Sequence, residues 1–547
     1  MREPCLSRPD AGPPVLIILA GLIAAILVSV LDGAFLQPDS AQYLSIARNL
    51  MAGQGAATSL VWTEEHHRLG SLPVVQTNLP PGYPMLIALV ILLGVEPLRA
   101  AFLVSVVCFA IIPLVIYRIL RTGRRPAVQC LGASGVWLVL PVVWFNVLAC
   151  LSEMSYTLFT VLSLACVGQS ERRPAQRDAW LLLAGTCAGL AFAVRYAGLI
   201  FIASLGALFL LRAARRRDAR SLVELVLVGG PPTAFVLVVF ARNYRLAGTF
   251  VGGLLADESN SALAVLQSLY WALTKVFGFS KAGLLRGDLA EWLLVLFVVS
   301  VLVCLAAGLR LTVNWSVLRA AGADPHSALS LLYVVGSLVV IVMAAAAHEA
   351  GTVQTRYLLA LIPFVLLLVP YGLDVIRSVS PRRGQKGMAT ALRWGALAVF
   401  LAGQVNVLGD LRHVRRESPY RYIDRALHQP FGSATLRDFL SQRITPSTPL
   451  LGNMPQLTGA VLDRPVVGLP GPWYTRTVWT EDEARRVVRK YGVAYIVFFP
   501  DLFDLSAPDL ANQTFFRDLK QGRVPPWLEP AFSSASVRLY QVNASGA

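Results

Sequence analysis

The sequence predicts a polytopic α-helical membrane protein with a small C-terminal α/β domain, and three observations carry that prediction. First, the 547 residues are 55% hydrophobic and only 15% charged, with a mean hydropathy of +0.59, more apolar surface than a soluble fold can cover. Second, apolar segments of spanning length recur near 14–31, 98–117, 128–147, 151–168, 179–194, 196–211, 221–241, 290–309, 328–347, 357–376 and 392–409, about eleven transmembrane helices in all. Third, the basic residues gather in short clusters at 118–125, 171–177, 212–220, 310–319 and 377–386. With a cytoplasmic N-terminus every cluster faces inward, as the positive-inside rule requires. That spacing assigns the formal charge of +16 to membrane orientation and not to nucleic acid.

The first apolar run, Pro14 to Leu31, follows Arg2 and Arg8 and is expected to remain as an uncleaved first helix. A large external loop, 32–97, comes next. Within it Tyr43, Ile46, Ala47 and Leu50 fall at helical spacing, so a short helix is expected along the membrane interface. Asp39 opens that helix. As an N-cap with Gln42 three residues on it resembles a capping box; as an acid at the membrane surface it is a site candidate, and the two roles are compatible.

Later in the loop, Pro80 to Gly94 is apolar enough to pass for a span. Counting it would invert every subsequent loop and put the arginine clusters outside, so it is expected to be an interfacial or membrane-dipping helix, with Gly82 easing its first turn. Residues 1–409 form the transmembrane domain, and 410–547 form an extracytoplasmic α/β domain. In the latter, 480–492 reads as a helix with acids in its first turn and bases in its last, 493–499 as a buried strand, 512–521 as a helix and 536–542 as an edge strand. The seven cysteines all lie before the C-terminal domain, so neither a disulfide framework nor a thiolate metal site is indicated there.

Polar residues at span ends concentrate on the outward face. Glu153 lies where one span turns into the next, and a carboxylate beside hydrocarbon marks a site, a cation partner or a snorkelling helix start. Arg195 and Arg356 each end an apolar run and are followed by Tyr196 and Tyr357, which places fixed positive charges at headgroup depth where they can pair with a phosphate. Further outward cations are Arg242, Arg245, Lys275 and Lys281.

Taken in order, Pro-Asp-Ser with Tyr43 after the first span, Pro-Pro-Gly-Tyr-Pro containing Tyr83, Ser-Glu at 152–153, Arg-Tyr at outer span ends and a polar α/β tail resemble the GT-C glycosyltransferases. Within them the likeness is to the protein mannosyltransferase and aminoarabinose transferase group. The resemblance implies transfer of a sugar from a polyprenyl-phosphate donor to an acceptor hydroxyl on the periplasmic face, with inversion. It makes Asp39 the general base and Glu153 the second acid, with Tyr43, Tyr83, Arg195, Tyr196, Arg242, Arg356 and Tyr357 binding substrate. Ser40 stands where the family often has a charged residue, and Tyr83 where it often has Leu.

The partners implied are the lipid-linked donor, a glycan, lipid or protein acceptor, and membrane lipid. No motif demands a cofactor; a divalent cation is compatible with the sequence, but no motif supports one. Arginine outnumbers lysine 43 to 5, which points to a GC-rich bacterium and hence its inner membrane. A transporter or flippase of a lipid-linked sugar is the rival; it predicts repeated halves and polar residues at mid-membrane, whereas here they cluster at one interface.

Overall fold

The computed structural model describes residues 12–30, 34–252, 261–276, 325–347, 353–369, 418–431, 434–470, 477–503 and 513–543. The expected spans at 290–309 and 392–409 and the outward cation Lys281 lie outside the described residues. The chain begins with α1 (Gly12–Val30), α2 (Pro38–Met51), α3 (Glu64–Leu69) and α4 (Gly82–Ile91). The helical bundle continues with α5 (Pro97–Thr122), α6 (Ala127–Val139), α7 (Pro141–Leu148), α8 (Glu153–Arg172), α9 (Arg177–Val194), α10 (Gly198–Arg216) and α11 (Ala219–Ala247). It is followed by α12 (Ala262–Val276), α13 (Pro325–Ala347) and α14 (Thr355–Leu359). Among the described residues five helices are long and apolar enough to cross a membrane, or six if α6 and α7, bent 50° apart at Leu140, are one span. This is a multi-pass membrane protein.

Helix α8 is the centre of the bundle, and its composition explains why. It buries Ser155, Thr157, Thr160 and Ser163 beside its apolar residues, which leaves no polar stripe for water. Those hydroxyls are satisfied by carbonyls: Thr157 Oγ1 donates to Glu153 O (2.7 Å), Thr160 Oγ1 to Thr157 O (2.9 Å) and Ser163 Oγ to Ala184 O of α9 (2.8 Å). Small residues then bring α9 against α11. A Cβ on Gly185 would lie 2.4 Å from the Val228 carbonyl oxygen, so only glycine permits that approach.

Helix α4 is too short to span, as the charge pattern requires. Tyr83 and Ile87 face inward, while Met85, Leu89 and the following Leu92 and Leu93 are exposed, an apolar outer face suited to lipid. Gly82 is present for closeness rather than for a turn: a Cβ there would sit 2.5 Å from Ala193 O at the end of α9. Helix α12 lies in a stretch expected to be loop. It buries Val265, Ala272 and Val276 at near-heptad spacing, and Ser268 Oγ accepts from the Val353 amide (3.1 Å) just before α14.

The tail and the first loop share one sheet. The strands are β2 (Leu60–Val61), β6 (Leu450–Gly452), β7 (Val466–Val467), β8 (Tyr495–Phe498), β9 (Leu528–Ser533) and β10 (Arg538–Val542), in the spatial order β2-β7-β6-β8-β10-β9. The first four in that order run parallel and the last three antiparallel. Two small pairs stand apart, β1 (Ala57–Thr58) with β3 (Val74–Val75) and β4 (Pro430–Phe431) with β5 (Ala434–Thr435). The expected helix at 480–492 is Glu481–Tyr491, capped by the Thr480 side chain and closed by left-handed Gly492. The 536–542 strand, expected at an edge, is interior. The edge is β9, whose Pro530 lacks an N–H and is tolerated there.

Because β2 belongs to the loop, the two chain regions are knit rather than merely adjacent. Val466 N donates to Ser59 O (3.2 Å) and Gly468 N to Val61 O (2.7 Å). His67 Nε2 donates to Gly468 O (2.8 Å), and Lys490 Nζ donates to His67 O (2.5 Å). Helix α2 accordingly does not lie with its polar side on an open interface. Gln42 donates to Leu60 O (3.2 Å), Ser45 Oγ accepts from Ser59 N (2.9 Å) and Asn49 donates to Ala57 O (2.8 Å), so its polar face is covered by the loop strands.

Two predictions follow from this packing. Burial pushes both His66 and His67 down to about 4, so between pH 6.5 and 4 the unfolded chain binds protons that the folded chain refuses. Stability is therefore full above about pH 6.5 and falls as pH drops, by up to about 1.4 kcal/mol per histidine per pH unit. Thermal unfolding of the H66Q/H67Q double variant should lose that dependence; an unchanged slope contradicts the assignment. Separately, Gly82→Ala should destabilise the fold by about 1–3 kcal/mol through overpacking, read as a lower unfolding temperature. Gly132→Ala, with open space at its Cβ, should not. Equal effects would show that the α4–α9 approach is not tight.

Candidate functional site

Four charged side chains from four separate elements meet at one end of the bundle. Asp39 stands in the first turn of α2, Glu153 is the first residue of α8, Arg195 follows α9 in extended conformation, and Arg356 is in the first turn of α14. Arg356 Nη1 donates to Asp39 Oδ2 (2.5 Å), and its Nε lies 3.8 Å from Glu153 Oε1. Arg195 Nη1 reaches the same Glu153 oxygen at 2.9 Å. The result is a chain of alternating charge, Asp39–Arg356–Glu153–Arg195, with no net charge.

Exposure separates the roles within it. The Glu153 side chain is 3% exposed, whereas Arg195, Arg356 and Asp39 keep 20%, 23% and 27%. Glu153 therefore does not snorkel to water; it is buried and held by guanidiniums, while Asp39 and both arginines remain reachable. Burial works against the Arg356 charge, but Asp39 and Glu153 outweigh it and raise its pKa further above the usual arginine value. Both arginines stay cationic.

The local structure resolves the two readings of Asp39. The N-cap of α2 is Gln37, whose side chain bonds the Ser40 amide while Ser40 bonds back, and Pro38 occupies the first helical position. Asp39 does not cap. Its carboxylate is left for Arg356, with the positive end of α2 behind it.

A strained turn sets the position of Glu153. Cys150, between α7 and α8, has φ +52°, a left-handed conformation unfavourable for a residue with a Cβ. Three side chains hold that turn: Tyr83 Oη donates to Cys150 O (3.0 Å), Ser40 Oγ donates to Ala149 O, and Tyr43 Oη pairs with Ser152 Oγ (2.9 Å). Ser152 Oγ also accepts from Arg195 Nη1 (2.9 Å). Burial raises the Tyr43 phenol pKa, so it stays protonated.

The remaining expected substrate-binding residues fall into two groups. Tyr357 is partly exposed beneath the Arg356 guanidinium (5.5 Å) and belongs to the site. Tyr43 and Tyr83 are buried edge to face (4.9 Å), so they position the turn rather than present a surface. Tyr196 and Arg242 are spent on the loop backbone. Tyr196 Oη donates to Thr77 O (2.6 Å), and Arg242 donates to Gln76 O (3.0 Å) and Ala56 O (2.6 Å). Ser152 and Asn243, which donates to Tyr196 Oη (2.8 Å), were not singled out from sequence; Ser152 had a signal, as the neighbour of Glu153 in the Ser-Glu pair. Among the described residues no three His, Cys, Asp or Glu side chains cluster as metal ligands, and a divalent ion at Asp39 and Glu153 would have to displace their arginine partners.

A helical bundle, a first loop that carries an acid and a sheet-sharing α/β tail make up a membrane fold whose likeness is to the GT-C glycosyltransferases. A family model described as dolichyl-phosphate-mannose-protein mannosyltransferase matches residues 78–243. The chain is similar to ArnT from Cupriavidus metallidurans bound to undecaprenyl phosphate, at 14% identity over 98% of this chain and 99% of that one, with a TM-score of 0.55. It is similar also to the oligosaccharyltransferase AglB from Archaeoglobus fulgidus in complex with an inhibitory peptide and a dolichol-phosphate, at 12% identity over 98% of this chain and 74% of that one, with a TM-score of 0.51. No curated protein matches by sequence. The GT-C likeness read from the motifs thus holds for the whole fold.

If Glu153 and Arg195 depend on one another as this geometry requires, a double-mutant cycle of E153Q and R195A read by thermal unfolding should give a coupling of about 1–3 kcal/mol. A coupling near zero would mean that the two charges do not meet in the folded protein.

Proposed function

We propose that this protein is an integral-membrane glycosyltransferase that moves a sugar from a polyprenyl-phosphate donor to an acceptor hydroxyl, with inversion, on the periplasmic side of a bacterial inner membrane. The observation that carries this reading is the convergence of Asp39, Glu153, Arg195 and Arg356, with the guanidiniums partly open to an incoming anion. The undecaprenyl phosphate and dolichol-phosphate bound by the two similar proteins support a lipid-phosphate donor, and the mannosyltransferase family match supports sugar transfer. The basic inward loops support a periplasmic site.

The donor phosphate competes with carboxylates for Arg356 and Arg195. As it binds, Arg356 turns from Asp39 to the phosphate, and Asp39 becomes free to accept a proton. The acceptor oxygen then attacks the anomeric carbon, its proton passes to Asp39, and the bond from that carbon to the phosphate oxygen breaks with its electron pair. Charge grows on the departing lipid phosphate, so the two arginines stabilise the transition state more than the ground state. Glu153 keeps both guanidiniums in place. The tail, joined to the loop through β2, covers the acceptor side.

With labelled polyprenyl-phosphate sugars and purified protein, Asp39→Asn should lower turnover by about 10²–10⁴ while donor binding, rid of a competitor for Arg356, is as tight or tighter. Wild-type turnover in that variant would remove Asp39 as the base.

A further inference from the structure

Two buried phenols lie directly behind the charged residues. Tyr156 stands one turn after Glu153 in α8 and is 4% exposed; Tyr333, in the first half of α13, is 1% exposed. Their hydroxyl oxygens are 2.7 Å apart, and Tyr156 Oη also donates to Ala197 O (3.2 Å). A phenol has one proton to give and a carbonyl oxygen none. With the Tyr156 proton on Ala197 O, the bond between the two rings is donated by Tyr333, so the path runs in one direction, Tyr333 to Tyr156 to Ala197.

Ala197 belongs to the turn that begins with Arg195, closed by Gly198 N on Arg195 O (2.9 Å). Tyr196 Oη ties that turn outward to Thr77 O (2.6 Å), and Tyr156 ties it inward to α8. At the far end Tyr333 is wedged between rings. It meets Phe201 of α10 edge to face (5.2 Å) and Phe364 (4.6 Å) of Thr355–Val369, the apolar helical stretch that opens with α14 and Arg356. Phenylalanine would fill either place with no polar atom to satisfy, and a buried hydroxyl is costly unless bonded. What the two hydroxyls add over two phenylalanines is a bonded path from the Phe201–Phe364 wedge to the turn that carries Arg195.

We propose that Tyr156 and Tyr333 are positioning residues for the transfer reaction: they fix the turn that carries Arg195, and with it the place where that guanidinium meets the donor phosphate. Arg195 leaves α9 in extended conformation (φ −148°, ψ 135°), and its Nη1 reaches Glu153 Oε1 and Ser152 Oγ, both at 2.9 Å. Guanidinium bonds to an oxyanion depend on direction, so a turn free to shift holds the phosphate less well. The role of Arg195 toward the donor rests on the function proposed above; the hold on its turn rests on the bonds themselves.

The test uses the full-length protein in detergent, with undecaprenyl phosphate titrated by calorimetry. Tyr156→Phe, which keeps the ring and removes both bonds, should weaken binding by about tenfold, and Tyr333→Phe, which leaves Tyr156 on Ala197 O, by about two- to threefold. The double variant should bind no more weakly than Y156F alone, because the path is already cut. Ser163→Ala, which removes a buried bond between α8 and α9 away from the site (Ser163 Oγ to Ala184 O, 2.8 Å), should lower the unfolding temperature but leave the affinity unchanged. In transfer assays Y156F should raise the donor KM and leave the acceptor KM unmoved. Wild-type affinity in a folded Y156F protein, losses that add in the double variant, or an equal loss in S163A would overturn the proposal. Without ligand, Y156F and R195A combined should lower the unfolding temperature by less than the sum of the two alone, and a simple sum would overturn it as well. Protein that shows this shortfall but binds no undecaprenyl phosphate would refute the donor reading and leave the hold on the turn standing.

Discussion

A carboxylate with 3% of its side chain exposed, at the start of a helix buried on all sides, is the constraint from which the site is built. A carboxylate so far from water needs a guanidinium within reach to offset its desolvation. Arg195 meets that need from the turn after α9 and Arg356 from the start of α14, and Arg356 in turn fixes Asp39 of α2. One buried acid thereby gathers four elements distant in sequence. Only Glu153 is sealed from outside; Asp39, Arg356 and Arg195 keep 27%, 23% and 20% of their side chains exposed, so all three stay within reach of an incoming group.

The remainder of the structure holds this arrangement in register. The left-handed Cys150 turn delivers Glu153, and Tyr83, Ser40 and Tyr43 hold that turn from the first loop. That loop is anchored twice more, by Arg242 and Tyr196 to α11 and the α9–α10 turn, and by β2 to the tail sheet. A tail that lends its sheet to the loop bearing Asp39 is mechanically tied to the site. The buried imidazole of His67 lies along that tie, donating to Gly468 O of the tail, while His66 is bonded to Gln76 within the loop.

Much of this was legible in the sequence for identifiable reasons. Span ends, the short helix at Pro80–Gly94 and the helix at 480–492 follow from hydropathy, charge placement and capping residues, which are local. Asp39, Glu153, Arg195 and Arg356 stood out because charge beside hydrocarbon is costly. What stayed hidden was pairing across distance. No local pattern says that Leu60–Val61 adds to a strand some four hundred residues later, that Ser536–Val542 lies inside the sheet, or that the Arg242 donors end on loop carbonyls. Tyr83 shows the same limit: its motif was conspicuous, but its task is a single hydrogen bond to a strained turn.

A structure with a polyprenyl-phosphate sugar bound would test the central claim most directly. The phosphate is expected within hydrogen-bond distance of Arg356 and Arg195, with Asp39 released from Arg356 and facing the anomeric carbon opposite the phosphate. A donor bound elsewhere while the Asp39–Arg356–Glu153–Arg195 chain stays intact would contradict it.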